Sequence, residues 1–430
     1  MSTNPLPTHR PAASAQLQVS PLLIAESIGQ RSGTVRRANL AAIVRELHLR
    51  GPQSRSELVA RTGLTRTAIR ALIGELVAGG VLTEERGAPD GAPGRPSPLV
   101  RPRSQDWFAL ALEIRVDSLA AALVGLGGEI LAQQSIERPR AHLSPEAIVA
   151  DLAELTSMIL PPGERDVPIA IGVAVAGLVR RDDGTVLMAP NLGWRDAPLA
   201  RLIEASLGTH RPVLVGNEAD LGAMAELRRG AARGADDLVF VSGEVGVGGG
   251  IIVGGQPLGG VAGFAGEVGH MPVNPHGRAC HCGSTGCWET EIGERALLQL
   301  AGRPEDGGPD EVDRVLTAAG DGDPQAIAAF RGVGGWLGIG LAGLVNVLNP
   351  RVIVLGGLFA RAYPFIAPEL DRQLRRKGLA GPRSLVRVAP ADLGVDAPLV
   401  GAAELALEPF LVDPAAWLGP RARLAVGAGA

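Results

Sequence analysis

The sequence has few aromatic residues, almost no lysine and only three cysteines. Aromatic side chains make up 3% of the 430 residues, and Lys377 is the lone lysine among 41 basic residues. Cys280, Cys282 and Cys287 fall within eight residues, a spacing too tight for a framework of disulfide bonds. The cysteines therefore argue against a disulfide-rich secreted fold, and a metal site becomes the first hypothesis for them.

Segments typical of membrane or secreted proteins are weak. Residues 332–350 carry no charge, but they contain six glycines, two asparagines and Pro350, which favours a buried helix over a membrane span. The first 35 residues mix Pro, Ser, Thr and Ala around the short apolar run 21–25, which is too weak for a secretory signal. We therefore expect a disordered leader over residues 1–35, a cytoplasmic protein and no membrane partner.

The overall composition is that of a globular protein. Apolar residues make up 46% and charged residues 20%, with a net charge of −4, which argues against a disordered chain. The length of 430 residues gives two or three domains. Glycine accounts for 59 residues, so tight turns and close backbone approaches should be frequent. This combination favours a loop-rich α/β protein.

The charge is divided unevenly along the chain. Residues 36–103 contain 12 arginines against 6 acidic residues, a net charge of +6, whereas residues 104–430 carry −11. A small basic segment beside an acidic body is expected where one part of a protein meets phosphate groups and the other does not. The basic segment is therefore the candidate for contact with DNA.

The basic segment has the pattern of a helix-turn-helix. Residues 38–50 have one apolar face and end at a Gly-Pro pair, and Ser56 caps a short helix over residues 57–62. Thr65 caps a third helix, whose apolar residues recur at i, i+3, i+4 and i+7. Strand-forming residues then flank a Gly/Pro loop, as in a wing. We predict a winged helix-turn-helix domain over residues 36–103; the alternative is an ordinary three-helix domain with solvated arginines.

The third helix and the wing supply the candidate DNA contacts. Arg66, Thr67 and Arg70 lie on the free face of the helix, where a recognition helix presents side chains to base edges and phosphates. Thr65, which caps the helix, is a further candidate DNA contact. In the wing, Arg95 lies between a glycine and a proline and can enter a minor groove. Two half-sites need two such helices, so we expect double-stranded operator DNA as partner and a homodimer or higher homo-oligomer.

Beyond residue 107 the pattern changes to strands and helices. Three apolar segments at 107–114, 119–125 and 129–133 predict a meander of adjacent strands. Glycines 246–250 predict a turn between two further strands. The remaining predicted elements are the helices 145–159, 199–207 and 219–229 and the strands 169–175, 213–215, 238–241, 251–253 and 352–355.

One imidazole and three thiols offer a complete metal site. His270, Cys280, Cys282 and Cys287 form a Cys₃His set, which gives zinc a closed tetrahedron without an open catalytic position. We therefore predict a structural zinc ion that fixes the loop 267–291.

The same loop carries carboxylates. Fixing it brings Glu267 and Glu289 close to His270, and such a group can accept several hydrogen bonds from a polyol. His276 and His281 are rival histidine ligands for the metal. Buried free cysteines and a redox site are the alternatives to metal binding.

Two motifs carry a resemblance to a known family. Residues 265–270 (AGEVGH) and 280–289 (CHCGSTGCWE), with the glycine stretch before them, resemble the ROK family of bacterial repressors, open reading frames and sugar kinases. The resemblance covers nearly everything after the leader. It implies an α/β fold in which the winged helix-turn-helix is joined to a two-lobed, actin-like ATPase architecture with RNase H-like lobes over residues 104–430, here a sugar-binding domain.

The resemblance also implies a site. Glu267, His270 and Glu289 would contact the hydroxyls of a sugar, with Asn191, Asn217 and Glu218 facing them across the cleft. His270 would use one ring nitrogen for zinc and the other for the sugar. The alternative roles are turn capping for the two asparagines and helix initiation for Glu289.

Two departures from the family's kinases bear on catalysis. Kinase members carry a glycine-containing phosphate loop after the first strand, and here the corresponding residues 113–117 (EIRVD) have no glycine. The catalytic aspartate that follows an Asn in kinases is replaced by Glu218, and displacement of a catalytic group weakens catalysis. We therefore expect a sugar-responsive transcriptional regulator, preferably a repressor, that does not phosphorylate its effector. The alternative is an ATP-dependent, glucokinase-like sugar kinase with a DNA-binding domain.

Overall fold

The computed structural model describes residues 32–85, 98–138, 143–164 and 167–418. Residues 1–31 of the predicted leader and the predicted wing contact Arg95 lie outside this part of the chain. The described residues form an N-terminal helical unit and two lobes. Each of the two lobes is built on a five-stranded sheet.

The N-terminal unit has three helices and a small sheet. Its elements are α1 (Ser32–Arg50), β1 (Gln53–Ser54), α2 (Arg55–Thr62), α3 (Arg66–Ala78), β2 (Leu82–Glu85) and β3 (Leu99–Pro102). Strand β3 lies between β1 and β2 and is antiparallel to both. This is the arrangement of a winged helix-turn-helix, as predicted.

The predicted cap of α2 is wrong by two residues. The cap is Ser54 rather than Ser56: its hydroxyl accepts a hydrogen bond from the Glu57 N–H (3.2 Å), and the Glu57 carboxylate accepts one from the Ser54 N–H (2.7 Å). This reciprocal pair satisfies two backbone donors at once, which explains the earlier start. Thr65 caps α3 as predicted, accepting a hydrogen bond from the Ala68 N–H at 3.2 Å.

The first lobe contains the predicted meander. Its elements are β4 (Phe108–Ile114), β5 (Ser118–Gly125), β6 (Ile130–Glu137), α4 (Pro145–Ile159), β7 (Ile171–Val175), β8 (Leu178–Arg180), β9 (Thr185–Ala189), β10 (Trp194–Ala197), α5 (Leu199–Leu207), β11 (Val213–Asn217) and α6 (Glu218–Arg229). The main sheet has the order β11-β7-β4-β5-β6, in which the meander is antiparallel and β4, β7 and β11 are parallel. Strands β8, β9 and β10 form a separate small sheet.

The second lobe repeats this topology. Its elements are β12 (Leu238–Gly243), β13 (Val247–Val253), β14 (Gln256–Pro257), α7 (Trp288–Ile292), α8 (Glu294–Leu300), α9 (Gly308–Gly320), α10 (Pro324–Leu348), β15 (Val352–Gly356), α11 (Gly357–Arg361), α12 (Tyr363–Lys377), α13 (Ala380–Leu385) and β16 (Arg387–Pro390). The next helix, α14 (Ala397–Val412), returns to the first lobe. The sheet order β14-β13-β12-β15-β16 again joins an antiparallel meander to two parallel strands. The repeated order is that of the RNase H-like lobes implied by the resemblance.

The glycine turn predicted at 246–250 is misplaced. The turn between β12 and β13 is made by residues 244–246, and Gly248, Gly249 and Gly250 lie inside strand β13. A Cβ atom on Gly250 would lie 2.4 Å from the backbone oxygen of Ala219 in α6. These glycines therefore permit close packing rather than a change of chain direction.

Helix α10 contains most of the uncharged segment 332–350, which the sequence suggested as a buried helix. Within the described part of the chain it is the one helix long and apolar enough to cross a membrane, but it lies in the core of the second lobe. A Cβ on Gly338 would lie 2.7 Å from the backbone oxygen of Leu370, so α10 and α12 cross at backbone distance.

The last helix, α14, joins the first lobe to the N-terminal unit. It packs on the first lobe's sheet so closely that a Cβ on Gly172 of β7 would lie 1.8 Å from the Ala402 oxygen. Its other end contributes Phe410, whose ring packs at a tilt of 30° against Trp107 with centroids 4.8 Å apart, and the Trp107 indole donates to the Gly80 oxygen (2.9 Å). The N-terminal unit thus shares one hydrophobic cluster with the first lobe and α14.

Candidate functional site

A cleft of about 280 Å³ lies between the two lobes. The first lobe lines it with the β4–β5 turn and the N-terminus of α6, and the second lobe with the β12–β13 turn and the loop that precedes α7. Its volume is at the lower end of small-molecule sites. A ligand here would contact both lobes at once.

The cleft brings together all six residues that the sequence analysis assigned to an effector. They come from four separate segments of the chain, and they are Asn191, Asn217, Glu218, Glu267, His270 and Glu289. A Cβ on Gly246 would lie 3.1 Å from Oε2 of Glu289 and 3.7 Å from Nδ2 of Asn191. Side chains from opposite lobes therefore approach each other across the cleft.

Asn217 has the structural role that the sequence analysis gave as its alternative. Its Oδ1 accepts hydrogen bonds from the N–H groups of Ala219 (2.8 Å) and Asp220 (3.3 Å), so it caps α6. Its Nδ2 donates to the Gly177 oxygen (2.9 Å). Asn217 thus fixes the start of α6, where Glu218 enters the cleft. Asn191 lies in a turn and is not a helix cap.

Three glutamates lie at the base of the cleft: Glu113 is buried, Glu218 is half-buried and Glu244 is exposed to the cleft. Burial, followed by repulsion from Glu244 and Glu113, raises the pKa of Glu218 to about 8, with Arg115 opposing. Burial likewise raises the pKa of Glu113 to about 7 and raises the pKa of Glu244. The base of the cleft is therefore suited to hydroxyl donors and unsuited to anions.

Arg115 occupies the turn between β4 and β5, at the stretch 113–117 that the sequence analysis compared with the kinase phosphate loop. Its Nε donates to Glu113 Oε1 (2.7 Å), and its Nη2 donates to the backbone oxygen of Val395. Both contacts hold the guanidinium in place through hydrogen bonds to the protein itself. The side chain, rather than a free backbone loop, fills this part of the cleft.

The four predicted metal ligands converge beside the cleft. One ligand atom from each of His270, Cys280, Cys282 and Cys287 lies within 4.8 Å of the other three. Cys280 and Cys287 are buried, and the Sγ atoms of Cys282 and Cys287 are 3.6 Å apart. This group can hold a metal ion.

The rival histidines lie elsewhere. His281 Nε2 lies 3.3 Å from Nη1 of Arg295, and exposed His276 follows the turn at Asn274, whose Oδ1 accepts a hydrogen bond from the His276 N–H (3.3 Å). Neither belongs to the converging group.

The two ring nitrogens of His270 face different groups. Nδ1 lies 3.6 Å from Cys280 Sγ and 3.7 Å from Glu289 Oε1, whereas Nε2 lies 4.0 Å from Glu267 Oε2. One nitrogen therefore points to the thiols and the other to the cleft. Glu289 also lies in the first turn of α7, so its two suggested roles are compatible.

A second candidate site is the exposed face of the helix-turn-helix. Thr65, Arg66, Thr67 and Arg70 are all exposed at the start of α3. Seven other arginines of residues 36–103 form ion pairs with carboxylates; they are Arg36, Arg37, Arg45, Arg50, Arg55, Arg101 and Arg103. Within the described residues, Arg66 and Arg70 have no ion-pair partner. Their charge is available to phosphate.

Two residues of these sites were missed from sequence. Arg61, in the last turn of α2, is exposed and also lacks an ion-pair partner in the described chain. Glu244 lines the base of the cleft. Its position directly after a buried strand was a usable signal, but the turn was predicted two residues later, among the glycines.

The comparisons with known proteins agree with this architecture. Residues 109–409 match the model of the ROK family. The glucokinase of Streptomyces coelicolor is 34% identical over 319 residues, which cover 70% of this chain and 98% of that protein. The xylose repressor of Bacillus subtilis is 28% identical over 380 residues, which cover 88% of this chain and 97% of that protein.

The solved structures include a similar regulator. A ROK family transcriptional regulator, a homologue of the Escherichia coli Mlc protein, superposes with a TM-score of 0.72 and 25% identity over 88% of this chain and 97% of that one. Because residues 109–430 are about three quarters of the chain, alignments that cover 88% include part of the N-terminal unit. The chain belongs to the ROK family, and its likeness to the regulators extends into the winged helix-turn-helix.

Proposed function

We propose that this protein is a sugar-responsive transcriptional repressor, with a DNA-binding domain over residues 36–103 and a sugar-binding domain over residues 104–430. The observation that carries the proposal is the extent of the likeness: a repressor and a regulator match along 88% of the chain, including the winged helix-turn-helix, whereas the glucokinase matches 70%. A DNA-binding unit and a sugar cleft in one chain are the two parts that such a regulator needs. Its place of action is then the cytoplasm.

The effector we propose is an unphosphorylated monosaccharide. Glu267, His270 and Glu289 on one side and Asn191 and Glu218 on the other supply acceptors for its hydroxyls. Asn217 acts by holding the start of α6. The base of the cleft disfavours a phosphoryl group, because the same desolvation that raises the pKa of Glu218 and Glu113 also penalises any other anion there.

We propose that the protein binds the sugar without phosphorylating it. Arg115 in the β4–β5 turn, held by Glu113 at the end of β4, fills the place where a kinase needs free backbone to approach phosphate, and the Glu244 carboxyl lies nearby. The 34% identity with a glucokinase is the observation that favours the alternative, a sugar kinase with a DNA-binding domain.

The metal we propose is a structural zinc ion held by His270, Cys280, Cys282 and Cys287. A tetrahedral zinc with Zn–S bonds of 2.3 Å places two sulfur atoms about 3.8 Å apart, and Cys282 and Cys287 are already at 3.6 Å. Four protein ligands leave no open position, so the ion would orient His270 and brace the loop rather than act on the sugar.

The DNA contacts we propose are Arg66, Thr67 and Arg70 of α3, with Thr65 capping the helix, and Arg95 in the wing. Exposed arginines without carboxylate partners can neutralise phosphates or bind guanine edges. A homodimer or higher homo-oligomer would place two such helices on an operator.

A calorimetric titration with D-xylose and D-glucose, with and without ATP, tests the cleft. We expect one of the two sugars to bind. ATP should not bind, whether or not a sugar is present, and no sugar phosphate should form. Glu267→Ala should abolish sugar binding and leave DNA affinity unchanged. Glu204→Ala, an exposed glutamate on α5, is the matched control. ATP-dependent formation of a sugar phosphate would instead establish the kinase.

DNA binding is tested on a duplex selected by the full-length protein from a random-sequence pool. Arg70→Ala should lower the affinity for DNA. The slope of log K against the logarithm of the salt concentration should become shallower by about one, because one phosphate contact is lost. Arg372→Ala, an exposed arginine on α12 paired with Glu369, should bind like the wild type. Equal affinity of the Arg70 variant and this control would remove α3 from the interface.

A further inference from the structure

Helix α6 connects the cleft to the N-terminal unit. Its first residue, Glu218, lines the cleft, and its last two residues, Arg228 and Arg229, lie at the opposite end of a 12-residue helix. At 1.5 Å per residue the helix is about 18 Å long. A helix this short and fully hydrogen-bonded moves as one body, so a shift at Glu218 reaches the two arginines.

Both lobes pack against α6 at backbone distance. A Cβ on Gly250 of β13 would lie 2.4 Å from the Ala219 oxygen, and one on Gly401 of α14 would lie 2.0 Å from the Leu221 oxygen. Strand β13 belongs to the second lobe, and α14 packs on the sheet of the first. Because close-packed interiors do not compress, a change in the angle between the lobes has to displace α6.

The far end of α6 enters a group of ionic side chains that we call the ionic hub. Its members come from α1, α6 and α14, and they are Arg45, His48, Arg228, Arg229, Glu404 and Glu408. Glu404 is at its centre, with 1% of its side chain exposed. It accepts hydrogen bonds from Arg228 Nη1 (2.9 Å) and Arg229 Nε (2.5 Å) and lies 2.9 Å from His48 Nε2.

The hub joins α6 to the DNA-binding domain through α1. His48 is fully buried, and its Nδ1 accepts a hydrogen bond from the Gly127 N–H (3.0 Å). Its Nε2 lies 2.9 Å from Glu404 Oε2 and 2.7 Å from Arg229 Nη2. Glu408 accepts from Arg228 Nη2 (2.6 Å) and from Arg45 Nη2 (3.0 Å). Two residues of α1 are thus bound to the same carboxylates as the end of α6.

Helix α1 in turn holds the recognition helix α3. Ile43 and Leu47 of α1 pack in one cluster with Ile69 and Ile73 of α3. On the surface, Arg36 Nε donates to Glu75 Oε2 (3.0 Å). A displacement of α1 therefore changes the position of the residues proposed to contact DNA.

We propose that α6 and the ionic hub carry the effector signal from the cleft to the DNA-binding domain. Occupation of the cleft shifts Glu218 and the lobes, and α6 moves with them. Arg228 and Arg229 then displace Glu404 and Glu408. These carboxylates in turn displace Arg45 and His48 of α1. The inference rests on the proposed function, because it needs a cleft ligand and a DNA-binding output. Arg228, Arg229 and His48 are positioning residues that touch neither sugar nor DNA.

A double-mutant cycle on DNA affinity tests this route without an effector. Measured at pH 9, where the Glu218 carboxyl is ionised, Glu218→Gln removes the charge at the cleft end of α6. Arg228→Met cuts the link between α6 and Glu408. We expect Glu218→Gln to change the dissociation constant for the selected duplex at least about fivefold in the wild-type background, within the usual range of allosteric coupling. In the Arg228→Met background the same substitution should change it less than about twofold, because coupled sites are not additive.

Matched variants separate the route from loss of folding. Arg372→Met on exposed α12 should preserve the full effect of Glu218→Gln, and Arg228→Lys, which keeps the charge, should preserve part of it. If Arg228→Met does not fold, Arg45→Met removes the contact with Glu408 from the half-exposed α1 side and takes its place in the cycle.

The outcomes are distinct. An equal effect of Glu218→Gln in both backgrounds, or no effect in the wild type, overturns the route through α6. Titration of the DNA-free Arg228→Met protein with D-xylose and D-glucose should give the wild-type sugar affinity, which shows that the cleft is intact. A wild-type protein that selects no duplex contradicts the proposed function itself, and with it the need for a route.

Discussion

Desolvation, with repulsion between carboxylates as a lesser cause, raises the pKa of two glutamates at the base of the cleft, and stability therefore depends on pH. The folded protein raises the pKa of Glu218 from 4.5 to about 8 and that of Glu113 to about 7. The native state therefore binds these protons more tightly than the unfolded chain does. Their stabilisation is fully present below pH 4.5 and is lost as the pH rises through about 7 to 8.

Glu218→Gln should remove part of this pH dependence, because glutamine keeps the shape of the protonated side chain and cannot ionise. We expect the wild-type Tm to fall between pH 6 and pH 9 by on the order of 2 °C more than that of the variant. Differential scanning calorimetry at these pH values is the measurement. Glu204→Gln on the surface of α5 should follow the wild type, and parallel curves for Glu218→Gln would contradict the assignment.

Cys287→Ser should release the metal, because it removes a buried thiolate from a closed set of four ligands. Loss of a ligand should weaken zinc binding by more than about a hundredfold, since even an outer-shell partner is worth 10- to 100-fold. Metal analysis of the purified proteins should find one zinc ion per chain in the wild type and less than about 0.1 zinc ion per chain in the variant. The His281→Ala variant changes a residue outside the ligand group and should retain its zinc. Loss of zinc from this variant would mean that His281, rather than His270, is the histidine ligand.

Single residues were predictable where their chemistry is carried by a local motif. The metal ligands and the carboxylates around them lie within residues 267–289, so spacing alone placed them together. The end of a buried strand marks Glu244 as a candidate, but its place at the base of the cleft was not predictable from it. Nor was the use of both amide atoms of Asn217 in hydrogen bonds, because both features depend on which strand ends meet at the cleft. Spacing along one segment holds no information about that meeting.

Helices and strands contact one another through glycines, and these contacts set how far the elements can move. Gly401 of α14 faces the backbone of α6, whereas Gly343 of α10 has open space where a Cβ would lie. Periodicity predicted most of the helices, since it reports which side of a helix is buried. It did not predict which helix lies against that side, because a small residue indicates that some element packs closely there but not which element it is.

Gly401→Ala should force α6 and α14 apart, because its Cβ would lie 2.0 Å from the backbone oxygen of Leu221. We expect a destabilisation of about 1–3 kcal/mol, the usual effect of overpacking. Gly343→Ala, at an exposed helical position, should instead stabilise by about 0.5–1 kcal/mol. Urea unfolding of both variants beside the wild type compares them, and equal midpoints would show that α6 can move away from α14 freely.

Across the whole molecule, the N-terminal unit and the first lobe share one hydrophobic cluster. Phe410 of α14 packs against Trp107 at 4.8 Å and Trp417 at 6.0 Å, in the cluster that also contains α1 and α3. The sequence predicted two separate bodies from their opposite charges and different periodicities. It did not predict their docking, because the contacts join residues about 300 positions apart and the apolar side chains involved look like ordinary core residues.

Phe410→Ala should therefore destabilise both bodies together. Removing a fully buried phenylalanine costs about 3–5 kcal/mol. Hydrogen exchange followed by mass spectrometry should show lost protection in α1 and in β4 alike. Phe359→Ala, a fully buried residue in the core of the second lobe, is the control, and we expect it to spare α1. Lost protection confined to β4 in the Phe410 variant would mean that the N-terminal unit is independent.

The position of α14 near the end of the chain also governs how the protein can fold during synthesis. Strand β4 leaves the ribosome about 280 residues before α14 does, which at 5–20 residues per second is a delay of roughly 15–60 s. Throughout that delay one face of the first sheet and one side of α1 lack their partner, so the nascent chain exposes apolar surface that chaperones can bind. An incomplete polypeptide then has neither a closed cleft nor a docked recognition helix, and only a finished chain can occupy an operator.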